Sequence, residues 1–80
     1  MNRNRKLFDH YVKLQVKFNE RFRFYEVSMS FPIYESVFYD KLSHSVLFRF
    51  SFHNIHSTKD LDEIFFKMEK LVSQRIIDNI

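Results

Sequence analysis

Eighty residues with a net charge of +3 bound a single domain, taken as residues 1–80. The lack of cysteine excludes disulfides and zinc–thiolate sites. The lack of glycine excludes a glycine-rich phosphate loop or dinucleotide fingerprint, and any residue with positive φ must be Asn, Asp, His or strained.

A chain this short buries only roughly 60–65% of its unfolded surface, so its stability must come from a compact core, an oligomer or a partner. Eleven phenylalanines supply the core, with many Ile, Lys, Asn and Tyr and no alanine. That usage resembles translation from an AT-rich genome, common among small proteins of phages and mobile elements. Charge is uneven. Residues 1–23 hold seven basic and two acidic residues, net +5, and residues 24–80 hold six basic and eight acidic, net −2. Such asymmetry points to a basic patch facing a polyanionic or acidic partner.

Met-Asn-Arg-Asn-Arg-Lys opens the chain with no long apolar run behind it. Residues 1–6 read as a loose basic arm. Neither a signal peptide nor a membrane-spanning helix is expected, and the expected location is cytoplasmic.

Val12-Lys13-Leu14-Gln15-Val16-Lys17-Phe18 alternates apolar and polar at period two, which predicts a strand from about residue 11. Leu7, Tyr11, Leu14 and Phe18 also fit a helical template, so a helix in part of the N-terminal half is the alternative. Asn19-Glu20-Arg21 then reads as a hairpin loop into a second strand, RFRFYEV, with a β-bulge near Tyr25-Glu26 to repair a one-residue slip in its pattern. Pro32 ends that strand or marks an edge. Residues 33–40, for which a short helical turn is the alternative, and 45–53 form a second hairpin around Lys41-Leu42-Ser43-His44. In its return strand Val46, Phe48, Phe50 and Phe52 share one face, which predicts a central position.

The last segment predicts a helix. Ser57 or Thr58 can cap it, and Asp60, Asp62 and Glu63 suit its dipole in the first turn. Leu61, Ile64, Phe65, Met68, Leu71, Val72 and Ile76 make one apolar stripe that must lie on the sheet. Phe66, Ile77 and Ile80 fall off that stripe, marking an oligomer or partner surface. The predicted fold is therefore α+β: an antiparallel sheet of about four strands in two hairpins, with one C-terminal helix packed on one face. No motif carries a resemblance to a known family.

Candidate chemistry is sparse. His53 and His56 have an H-x-x-H spacing, but they sit at the end of a predicted strand with no paired carboxylate. They read as loop histidines, and no metal or other cofactor is expected. Asp40, Ser43 and His44 lie in an exposed hairpin with no oxyanion pocket, so no enzymatic activity is expected.

The feature with functional content is basic–aromatic interleaving. Lys13, Lys17, Arg21, Arg23 and Arg49 are expected to form a positive strip on the open face of the sheet, with Tyr25 exposed beside it. Two functions follow. The first is a stoichiometric inhibitor of a host nucleic-acid-handling enzyme or its ribonucleoprotein complex, of the phage anti-CRISPR or anti-restriction kind, acting by protein–protein docking. The alternative is a small RNA- or single-stranded-DNA-binding module, dimeric through Phe66 and Ile77.

Overall fold

The structure is a computed structural model that describes the backbone of residues 2–30 and 34–78, and side chains from Arg5 onward. Its elements run α1 (Asn2–Arg21), β1 (Tyr25–Ser30), β2 (Glu35–Asp40), β3 (Val46–Ser51), a single 3₁₀ turn (Phe52–Asn54) and α2 (Thr58–Asp78). The α+β class, the antiparallel sheet and the C-terminal helix agree with the sequence reading. The strand count differs, because the described residues contain three strands in the order β1-β2-β3 and the first predicted strand is a helix.

The helical period wins in α1 because it places Leu7, Tyr11, Phe18 and Phe22 on one buried face, with spacings of four, seven and four residues. A strand there would have turned Val12 and Val16 inward, and both are exposed. Asn19-Glu20-Arg21 is the last turn of this helix and not a hairpin loop. The stretch expected to be a loose arm is helical from Asn2. The same helix seals one edge of the sheet. Gln15 and Asn19 lie one turn apart on α1, where Gln15 Nε2 donates to the Val27 carbonyl at 2.9 Å and Asn19 Oδ1 accepts from the Val27 N–H at 3.1 Å. The outer backbone of β1 is thereby satisfied at its middle.

β1 pairs with β2 without a break, from Tyr25 opposite Asp40 to Ser30 opposite Glu35. The bulge lies elsewhere, in β3: Phe38 faces Phe48 while Tyr39 faces Val46, so Leu47 is the extra residue. Beyond it the parity reverses, and Val46 joins Tyr39 on the solvent face, 46% exposed. The predicted four-residue apolar face of β3 therefore reduces to Phe48 and Phe50, with Phe52 in the 3₁₀ turn. β2 is the central strand and β3 an edge. With no glycine in the β2–β3 loop, His44 takes the left-handed conformation at φ 59°, and Tyr34 does the same ahead of β2 at φ 56°.

Both helices cover one sheet face. Val27, Phe38 and Phe50 project into them, and Leu61, Phe65, Met68 and Val72 come down from α2. Phe38 is the hub, with ring centroids 5.0 Å from Phe18, 5.3 Å from Phe65 and 6.0 Å from Phe50. The Phe18 and Phe65 contacts are edge-on, the favoured arrangement for aromatic pairs. Among the described residues the one buried polar residue of this core, Ser36, donates to Tyr11 Oη at 2.7 Å. Burial pushes the Tyr11 phenol pKa up, opposed by that hydrogen bond. Among the described residues no buried side-chain polar atom lacks a partner.

α2 opens with a reciprocal cap. Ser57 Oγ accepts from the Asp60 N–H at 3.3 Å, while Asp60 Oδ2 accepts from the N–H groups of Ser57 at 3.1 Å and His56 at 2.9 Å. The buried stripe of α2 is narrower than predicted. Leu61, Phe65, Met68 and Val72 are buried, but Leu71, turned off the covered face beside the fully buried Val72, and Ile76, near the end of the helix, are exposed.

Candidate interaction surfaces

The predicted basic strip does not form as one surface. Lys13 and Lys17 sit on the outer side of α1, one turn apart, and Lys6 extends the row so that it spans about 16 Å. Arg21 ends α1, and its guanidinium lies 3.5 Å from Glu69 of α2. Arg23 is in the turn before β1. Only Arg49 lies on the open face of the sheet, paired to Glu35 at 3.1 Å. The strip fails because the lysines belong to a helix and leave the sheet altogether.

That open face alternates with the core residues and carries Glu26, Ser28, Glu35, Val37, Tyr39 and Arg49. Tyr39 Oη donates to Glu26 Oε2 at 2.9 Å, and Lys41 approaches the same carboxylate at 3.9 Å. The bond to Glu26, then burial and the negative charge, push the Tyr39 phenol pKa up. Carboxylates and paired groups make this a poor platform for stacked bases. Tyr25, expected to be exposed, is buried with 7% of its surface accessible. β1 begins at Tyr25 with its first side chain turned inward, so the exposed ring is its neighbour Phe24, at 62%.

Phe24 belongs to a surface that the sequence did not reveal. Phe24, Leu42 of the β2–β3 hairpin and Ile76 of α2 line a shallow depression of about 520 Å³, together with Arg21 and Arg23. Leu42 is 77% exposed and Ile76 41%. Arg21 also borders a second depression, holding Phe66 and Ile77 with Glu69 and Lys70. Phe66 and Ile77 are exposed, as predicted from their place off the stripe, and Lys70 lies 4.6 Å over the Phe66 ring. The two depressions share Arg21 in their linings. Ile80 lies outside the described residues. The signal that was missed is Leu42, an apolar residue at the tip of a polar hairpin.

At the opposite end of the helix pair a groove of about 500 Å³ is lined by Arg5, Lys6, Asp9, His10, Lys13 and Thr58. It mixes both signs of charge, and His10 Nε2 lies 2.7 Å from Asp62 Oδ1 across the helix seam. Among the described residues no group of three or more His, Cys, Asp or Glu is placed to hold a metal ion, and no helix is long and apolar enough to cross a membrane. Comparison with family models, curated proteins and solved structures returned no match for this chain.

Proposed function

We propose that this protein acts by docking, as a stoichiometric inhibitor of a nucleic-acid-handling enzyme or its ribonucleoprotein complex. The observation that carries the reading is the pair of depressions at one end that share Arg21. Five large apolar side chains (Phe24, Leu42, Phe66, Ile76 and Ile77) stand exposed there in a chain of 80 residues. Contiguous exposed apolar surface rimmed by polar groups is characteristic of protein–protein contact. The rim of Arg21, Arg23 and Lys70 adds residues suited to electrostatic docking. The class of enzyme rests on the lysine row of α1, which suits a partner that itself carries nucleic acid.

That row also supports a second reading, a direct nucleic-acid binder. Lys13 and Lys17 stand at i, i+4, where like charges cost about 0.2–0.5 kcal/mol of helix stability, and a phosphate backbone would offset that cost.

The two readings separate in one assay. Purified protein is titrated into a panel of RNA-guided nucleases and restriction endonucleases at about 50 and 200 mM salt. Docking predicts inhibition that reaches its end point near one protein per enzyme, is lost in F24S/L42S and survives excess substrate. Substrate binding predicts inhibition that excess nucleic acid relieves, that falls steeply with salt and that is lost in K13E/K17E. The second pattern overturns the docking reading.

A further inference from the structure

The outer side of α1 carries a charged row that the fold itself does not use. Lys6, Lys13 and Lys17 are exposed. They fall within about 40° of one another around the helix, with rises of about 10 Å and about 6 Å between them. None of the three joins an ion pair among the described residues. The acids that α2 brings to the seam are paired with other groups, Asp62 with His10 at 2.7 Å and Glu69 with Arg21 at 3.5 Å. The two helices also carry the whole net charge of the chain. They hold ten basic and seven acidic residues, against three of each in residues 22–57. α1 is pinned by its buried face and by the bonds from Gln15 and Asn19 to the Val27 backbone, so its backbone needs no ordering on binding.

We infer that this row is a site for the sugar–phosphate backbone of nucleic acid, held by charge and without reading of bases. This deepens the nucleic-acid part of the proposed function, on which it rests, and applies whether the strand is free or carried by an enzyme. Spacing decides against a small anion: the lysines are strung along about 16 Å of helix instead of ringing one point, and a polymer offers each its own phosphate. Composition decides against a protein segment. The positions beside and between the lysines on that face are Asp9, His10 and Glu20, with no apolar side chain among them. Protein contacts form around aromatic and apolar anchors and are depleted in lysine. A helix that lies on a membrane needs a free apolar face, and that of α1 is spent on Leu7, Tyr11, Phe18 and Phe22 in the core. The row holds no aromatic on which a base could stack, so the contact is to phosphates.

The test uses the full chain without any enzyme. Fluorescently labelled single strands of two unrelated sequences, and the DNA duplex of one, are titrated at about 50 and 200 mM salt. With three phosphates neutralised, affinity should fall about 20-fold for a single strand and about 40-fold for the duplex over that range. The two sequences should bind alike. K6Q/K13Q/K17Q should lose binding. K59Q/K67Q/R75Q, which removes the same charge from exposed positions of α2, should keep most of it. Gln preserves helix propensity, so both variants should melt like the parent.

Equal losses in the two variants overturn the inference, because net charge and not the row would then set the affinity. A preference of about tenfold or more between the two sequences overturns it too. So does displacement of the strand by poly-glutamate or anionic phospholipid vesicles as readily as by unlabelled strand, and so does absence of binding at the lower salt. Any of these results leaves docking at the open end standing, since F24S/L42S reports on that separately in the inhibition assay.

Discussion

The two ends of the α1/α2 pair solve the same problem differently. At the end where α2 begins, polar groups are used up within the chain: Ser57 and Asp60 cap the helix, and His10 meets Asp62 across the seam. Cations there share their groove with Asp9, so that groove is polar and mixed in sign. At the end where α2 finishes, the helix outruns the three-stranded sheet. Phe24, Leu42 and Ile76 are left outside the core with Arg21 and Arg23 around them. A sheet of six-residue strands cannot cover a helix of 21 residues, and that mismatch in length leaves Ile76 exposed beside Phe24 and Leu42 of the neighbouring turns.

The sharpest way to break this comparison lies within two residues of each other at the open end. Phe22 is buried, its ring centroid 4.9 Å from that of Phe18, while Phe24 is exposed. Phe22→Ala should cost about 3–5 kcal/mol, and Phe24→Ala should stay within about 0.5 kcal/mol. Urea unfolding of both variants checks this. Similar losses for the two would mean that Phe24 belongs to the core and that the open end is closed.

How much of this was legible in the sequence depends on how local the signal is. α2 was readable because its cap and its stripe lie within one segment: Ser57 and Asp60 are three residues apart, and Leu61, Phe65, Met68 and Val72 repeat at helical spacing. α1 was ambiguous because Val12 to Phe18 satisfies period two while Leu7 to Phe22 satisfies period 3.6. The longer run was the better guide, since about sixteen residues exceed an ordinary strand. The bulge at Leu47 has no local signature, and it turned Val46 outward. Misplacing the first strand also sets the parity of the next, which puts Tyr25 on the outside. The cations of the candidate site were legible by type, but their distribution over α1, a turn and β3 depends on the fold.

At the closed end the expected losses are smaller. Ser57→Ala removes the hydroxyl that accepts from the Asp60 N–H, and loss of an N-cap costs about 1 kcal/mol. Ser73→Ala, on the same helix without a capping role, serves as the control in thermal unfolding. Equal melting of the two would mean that the cap contributes nothing to this end.

The smallest effect is one of pH. Hydrogen bonds from the His56 and Ser57 N–H groups hold the Asp60 carboxyl below the ordinary aspartate value, with the His56 bond the largest cause. A carboxyl with a lowered folded pKa binds its proton more readily in the unfolded chain. Its contribution is therefore complete above the unfolded value of about 4, and is lost as pH falls from there through the lower folded value. Asp60→Asn keeps an acceptor oxygen but removes the charge. The parent should thus be more stable than this variant at about pH 6, and the difference should shrink toward zero at about pH 3. Urea midpoints at the two pH values decide it. A gap that persists undiminished at the lower pH would show that shape and hydrogen bonding, not charge, make the cap, and would remove the electrostatic part of the contrast between the two ends.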